Sequence, residues 1–252
     1  MRLPMKTGRS ELRTDWALAI DTDAVLRALG TDSNQIRSRR PQFVRLVDRI
    51  VAEHIELIRP AVVMRTNQVR CASRERTLLE DGTEWRVEVV CQGLLRTESV
   101  AAIVATVGDE FMEHASKSDS ARRMIVDGLG TAAITALEDA ILRDARTSAH
   151  QMGRRITDPL YPGMKGWELA PGQQEIFGLV DARAAGVSLN PSYMMIPVKS
   201  VSFLLGIGLG EPERATACER CEAAANCQYK RTTEESSRAH CPLKPAVGQE
   251  RG

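Results

Sequence analysis

The run Tyr161-Pro162-Gly163-Met164-Lys165-Gly166-Trp167-Glu168-Leu169 places a proline and two glycines within a single short stretch. Proline fixes φ and removes a backbone donor, while glycine opens positive φ, so this composition predicts a long irregular loop over residues 159–172. Ordered loops of that length tend to carry function. Downstream, a helix is predicted over residues 173–185, opened by Pro171-Gly172. After Gly186 come Val187 and Leu189, then the apolar Tyr193-Met194-Met195-Ile196. Val201, Phe203, Leu205 and Ile207 then alternate as a half-buried strand does.

Upstream of the loop, residues 120–150 read as one long helix ended by Gly153, with Gly128, Gly130, Ala132, Ala133 and Ala136 in its middle. Glycine inside a helix costs about 1 kcal/mol relative to alanine, so these positions predict close packing at the centre of the domain. Residues 99–107 read as a buried strand closed by Gly108, with a short helix over 109–115. Residues 61–70 and 84–91 are predicted strands; in the second, Trp85, Val87, Val89 and Cys91 alternate after an Asp81-Gly82 turn. Residues 21–58 read as helical, with Phe43, Val47, Ile50, His54 and Leu57 on one stripe before Arg59-Pro60 stops it. No internal repeat is present.

Composition excludes several classes. Apolar residues at 43% and charged residues at 27% fit a globular chain with a real core. Aromatics, at 4%, leave little with which to stack bases, which excludes a nucleic-acid partner. With 34 basic and 33 acidic residues, no global field steers a polyanion or a membrane surface. Residues 1–10 lack an apolar run, and the longest apolar stretch, 100–107, is too short to span a bilayer. A cytoplasmic location is therefore expected.

In a reducing compartment, clustered thiols read as metal ligands rather than as disulfides. Four of the six cysteines, Cys218, Cys221, Cys227 and Cys241, form C-x2-C-x5-C-x13-C in a polar segment without enough apolar surface to fold alone. A bound metal supplies the missing folding energy. Four thiolates suit an iron–sulfur cluster, the favoured expectation, or structural zinc as the alternative, with His240 as a substitute ligand. Cys71 and Cys91 read as small buried hydrophobes in or beside strands.

The loop quoted above, followed by Gln174-Glu175-Ile176-Phe177 and by Ser192-Tyr193-Met194-Met195-Ile196-Pro197-Val198-Lys199-Ser200-Val201, resembles the activation domain of cobalamin-dependent methionine synthase. Thr106-Val107-Gly108 before a short helix and Asp127-Gly128-Leu129-Gly130 before an alanine-rich one resemble the same family, so the likeness covers residues 21–207. It is carried by the ordered set and not by any one piece. The resemblance implies a curved α+β fold with a twisted antiparallel sheet and flanking helices. It also implies a domain that binds S-adenosylmethionine beside a corrinoid and restores oxidised cobalt by reduction and methylation.

By that resemblance the cofactor-binding positions are Tyr161, Pro162, Gly163 and Met164. The family's Arg-x-x-Pro-Gly-Tyr is altered here: Pro159 stands at the arginine position and Met164 at the tyrosine position, with Arg154 or Arg155 upstream as replacements. Met194, Met195 and Ile196 read as core, Trp167 as a pin for the loop, and Lys199 and Ser200 as facing water. No Asp-x-His-x-x-Gly corrinoid motif occurs, so cobalamin enters only through a partner, a corrinoid protein or a corrinoid-dependent methyltransferase. The expected organisation is an N-terminal extension (1–20), an activation-like domain (21–210) and a cysteine-rich metal-binding tail (211–252). The expected function is reductive reactivation of a partner's cobalt through an iron–sulfur centre, with S-adenosylmethionine as a further ligand. The rival is a non-catalytic, zinc-stabilised adaptor on a methyltransferase complex.

Overall fold

The computed structural model describes residues 8–208. The four cysteines of the tail lie outside them. Residues 21–58 form three helices, α1 (Thr22–Ala28), α2 (Ser33–Arg39) and α3 (Pro41–His54), where the sequence pattern predicts continuous helix. The breaks are local chemistry. Asp21 and Asp32 each accept backbone N–H groups as N-caps, Gly30 takes φ +76°, and Pro41 can only begin a helix. The predicted stripe on α3 is real: Val47, Ile50 and His54 are fully buried.

Antiparallel pairing joins β2 (Ala61–Ala72), β5 (Thr97–Thr106) and β9 (Ser200–Gly208) at the centre of a seven-stranded sheet. On one side of β2 lie β3 (Thr77–Leu79), then β4 (Glu84–Trp85); beyond β9 lies β6 (Arg155–Ile156). Residues 8–20, read in sequence as part of the extension, are built into this body. Strand β1 (Glu11–Arg13) pairs with β2, and Arg13 reaches Asp144 at 2.7 Å while lying 4.1 Å over the Trp16 ring. Pairing through backbone needs no hydrophobic pattern, which is why the sequence hides it.

Both faces of the sheet are covered. Met64, Ile103, Ala105, Phe203 and Leu205 face the helices α1, α3, α5 (Glu110–Ala115) and α6 (Ser120–Gln151). Val63, Ala102, Val104 and Leu204 face a second core with α4 (Glu88–Gly93) and α7 (Leu169–Leu179). That is why β5 reads as an unbroken apolar run. It also corrects the alternation read for β9, in which Ser202 and Leu204 are as buried as Phe203 and Leu205.

Two elements differ from their predicted form. The strand expected over 84–91 ends after Trp85, and α4 follows; Val90, Cys91 and Leu94 turn inward together at helical spacing. Six residues are too few for period 2 and period 3.6 to be told apart. Helix α7 starts at Leu169, with Pro171 inside its first turn, where a missing N–H costs nothing, and a separate 3-10 turn follows over Ala182–Ala185. Of the lone cysteines, Cys91 is buried as expected, whereas Cys71 near the end of β2 is exposed.

Candidate functional site: a loop between two carboxylates

The motif pieces scattered over the sequence meet at the start of β9. Val107 N–H donates to the Lys199 carbonyl at 3.2 Å, and the Thr106 hydroxyl to the same oxygen at 3.4 Å. Lys199 Nζ then reaches Asp127 Oδ1 at 2.8 Å and Thr131 Oγ1 at 2.9 Å on α6. A Cβ at Gly130 would sit 2.8 Å from the Phe111 ring and 2.9 Å from Lys199 Cγ. Gly130 is therefore the space through which the Lys199 stem passes. Lys199, read from sequence as facing water, has a side chain only 13% exposed. This cluster holds the sheet to the long helix, and its polar groups are used up in doing so.

The loop begins as an edge segment, Thr157 N–H to Gly206 O and Leu160 paired with Leu204, and then passes under α6. There the Tyr161 hydroxyl donates to the buried Glu138 in a very short hydrogen bond, and its ring lies 5.6 Å from that of Phe203. Burial, with the Glu138 charge beside it, holds the Tyr161 hydroxyl well above the usual tyrosine range, so it stays a donor. Arg146, one of the next polar side chains along α6, is desolvated in the same region, with Asp158 and Asp139 supporting its charge. Beyond Pro162 the chain turns at Gly163 (φ +90°) and Gly166 (φ +87°). Gly163 N–H donates to Trp167 O at 2.9 Å, Met164 N–H to Tyr161 O at 3.2 Å and Trp167 N–H to Met164 O at 2.9 Å.

Trp167 pins the loop, as its sequence context predicts. Its indole is 1% exposed, and its Nε1 donates to Glu175 Oε2 at 3.0 Å. Trp85 Nε1 donates to the same oxygen, also at 3.0 Å. A Cβ at Gly172 would lie 2.8 Å from the Trp167 ring, so α7 can start against the indole only with glycine there.

No family model matches this sequence, and no curated protein matches it. Solved structures do: the crystal structure of the MetH reactivation domain bound to AdoHcy superposes with a TM-score of 0.57 and 10% identity, over 81% of this chain and 80% of that one. This is the activation-domain fold. The α+β architecture with an antiparallel sheet, expected from the ordered motifs, is the observed one.

The positions that the sequence resemblance assigns to an S-adenosylmethionine carboxylate are engaged within the fold. Pro159, at the motif's arginine position, is buried and carries no donor. Arg154 is engaged by Glu98 at 2.6 Å, and Arg155 is exposed on β6. The N–H groups of Gly163 and Met164 are spent inside the loop, and the Tyr161 hydroxyl is spent on Glu138. A Cβ at Gly163 would lie in ordinary contact with Leu169, at 3.5 Å. Glu138 and Glu175, which organise the loop, were not singled out in the sequence. Glu138 was legible in principle as a charge on the buried side of α6 between Leu137 and Ile141.

The hairpin of β7 (Ser188–Leu189) and β8 (Met195–Ile196) turns through Tyr193 at φ +59°, and Gln174 of α7 donates to the Tyr193 hydroxyl at 3.0 Å. Met194 and Ile196, expected in the core, are 53% and 48% exposed, and Val198 is 75% exposed. Only Met195 packs inward. A two-residue strand on the outside of the second core has one face to bury, so every other apolar side chain is left in solvent. Helix α7 thus ties the loop, through Glu175, to this exposed apolar edge, through Gln174. Among the described residues no three His, Cys, Asp or Glu side chains converge as a metal site, and no helix is long and apolar enough to cross a membrane.

Proposed function

We propose that this chain is an accessory protein of corrinoid-dependent methyl transfer that docks on a partner corrinoid protein or corrinoid-dependent methyltransferase. The observation that supports it is the activation-domain fold retained around a loop whose Gly163, Met164 and Trp167 N–H groups are bonded within the loop, with Met194, Ile196 and Val198 exposed. Exposed apolar side chains in and just after one hairpin suit protein contact. Cys218, Cys221, Cys227 and Cys241, outside the described residues, are proposed to hold an iron–sulfur cluster, whose one-electron chemistry serves to reduce divalent cobalt in the partner.

Ultraviolet-visible and paramagnetic spectra of protein purified without air, before and after dithionite, test the redox half. Cluster bands that bleach on reduction support it, and iron-free protein refutes it. Cys218→Ser or Cys227→Ser is expected to release the metal while residues 8–208 keep their melting temperature. Calorimetric titration with S-adenosylmethionine is expected to give no heat at high micromolar ligand. The neighbour's bound AdoHcy favours a second reading, in which the methyl donor binds here, and a saturable heat would establish it. Zinc in place of iron, with binding to the methyltransferase retained, identifies the adaptor.

A further inference from the structure

Helices α2 and α3 carry a set of arginines that the fold does not use. Residues 33–47 contain Arg37, Arg39, Arg40 and Arg45 and no acidic residue, and Arg49 follows one turn after Arg45. Against a chain whose formal net charge is only +1, that is a local excess. Arg39, Arg40, Arg45 and Arg49 are exposed, and among the described residues none of them forms an ion pair or a side-chain hydrogen bond. Arg45 and Arg49 stand on the side of α3 away from the buried Val44, Val47 and Ile50. From Arg40 to Arg49 the helix advances roughly 14 Å, at about 1.5 Å per residue.

The neighbouring acids are already engaged. Asp32 caps α2, Asp23 takes Arg37 at 2.7 Å, Asp48 accepts from the Thr22 hydroxyl, and Glu53 accepts from Arg122. Stability does not favour the arrangement either. Arg45 and Arg49 are like charges four residues apart on one helix, and α3 begins at Arg40 with no side-chain cap and no acid in its first turn. The end of α2 accounts for Arg39, whose charge suits a helix C-terminus, but not for Arg45 or Arg49.

We infer that this corner is a docking surface for an acidic patch of a partner protein. Guanidinium forks pair with carboxylates in bidentate fashion, and four unpaired ones together steer and orient a surface rich in Asp and Glu. The apolar residues among them, Ile36, Phe43 and Leu46, pack against the core, so the surface offers neither a ring for stacking bases nor a wedge for a bilayer. Helix α3 packs on one face of the sheet and the β7–β8 hairpin on the other, so this surface is separate from the exposed apolar edge.

The test titrates the full chain with octaglutamate, followed by amide chemical shifts, in parallel with phosphatidylserine vesicles and a thymidine oligonucleotide. Octaglutamate is expected to shift residues 37–49 saturably, and to weaken by about tenfold when salt rises from about 0.05 to about 0.3 M. Arg45→Gln/Arg49→Gln is expected to weaken it by about tenfold, with a melting temperature unchanged or raised as the like-charge contact goes. Arg183→Gln, exposed and outside the surface, is expected to leave it unchanged. Absence of saturation at millimolar octaglutamate, undiminished affinity in the double variant, a fall in its melting temperature, or tighter binding of vesicles or oligonucleotide overturns the inference.

Discussion

Replacing Tyr161 by Phe removes a single oxygen and leaves the ring against Phe203, so its effect isolates the hydrogen bond to Glu138. A hydrogen bond to a charged acceptor contributes about 1.5–3 kcal/mol net. Glu138 is 7% exposed, which argues for the upper part of that range, but it has further interactions and is not left bare, which argues for the lower. The expected loss is about 2 kcal/mol, or roughly 4–8 °C in melting temperature for a domain of this size. Alkaline behaviour gives a second, independent reading. The folded pKa of Tyr161 is raised above its ordinary 10.0, so the folded state holds this proton where the unfolded chain has released it. Its stabilisation is complete below pH 10 and is lost as pH rises toward the folded value. Urea melts from neutral pH upward should show the wild type losing up to about 1.4 kcal/mol per pH unit more than Tyr161→Phe once that point is passed. Parallel alkaline slopes for the two proteins, or an unchanged melting temperature at neutral pH, would refute the assignment of Tyr161 as the loop's buried anchor.

Gly130→Ala and Gly128→Ala should part company although both gain about 1 kcal/mol of helix propensity. At 130 the new Cβ meets the fully buried Phe111 ring at 2.8 Å, and overpacking of about 1–3 kcal/mol or more outweighs the gain; at 128 it meets the far end of the partly exposed Leu29, which can move, so thermal melts should show the first destabilised and the second near neutral. Glu175→Leu strips the acceptor from two indoles at once, an expected cost of about 2–5 kcal/mol, and limited proteolysis should then cut within residues 161–168. Asp119 caps α6 through Arg122 N–H, and that bond lowers its pKa below the ordinary 3.8. Its contribution is present above that value and disappears as pH falls through the folded pKa, so acid unfolding of Asp119→Ala, followed by circular dichroism, should show a shallower decline than the wild type below about pH 4.

The central strands, the long helix and the loop were legible because each is written in more than one signal. The α6 glycines, for example, break propensity just where Phe111, Lys199 and Leu29 press in. What escaped were features held by long-range or backbone contacts. Strand β1 has no apolar alternation to betray it, α4 is too short for its period to be resolved, and the outward turn of Met194 and Ile196 depends on how many faces the hairpin can bury. Of the site, Trp167 was readable as a pin from its position among turn residues. Its partner Glu175 was quoted within a motif without a role, because sharing one oxygen with Trp85 across 90 residues leaves no trace in spacing.

Motif retention therefore carries different meanings at different positions of the same resemblance. Thr106, Asp127, Gly130 and Lys199 stand at the junction that joins the central sheet to α6. Tyr161, Pro162 and Gly163 persist where the chain must dive beneath α6 and re-emerge to seat Trp167, a constraint that backbone geometry alone enforces. Pro159 and Met164 are where the sequence departs from the ligand motif, Pro159 being buried and Met164 holding the loop through its N–H and its carbonyl. Under the proposed function the loop serves as a scaffold and does not bind S-adenosylmethionine. A chimera restoring arginine at 159 and tyrosine at 164 should not bind S-adenosylmethionine on that view, because Tyr161 and the loop N–H groups would still be occupied. Micromolar binding by Pro159→Arg/Met164→Tyr would instead mean that the loop remains a ligand site lacking only two side chains.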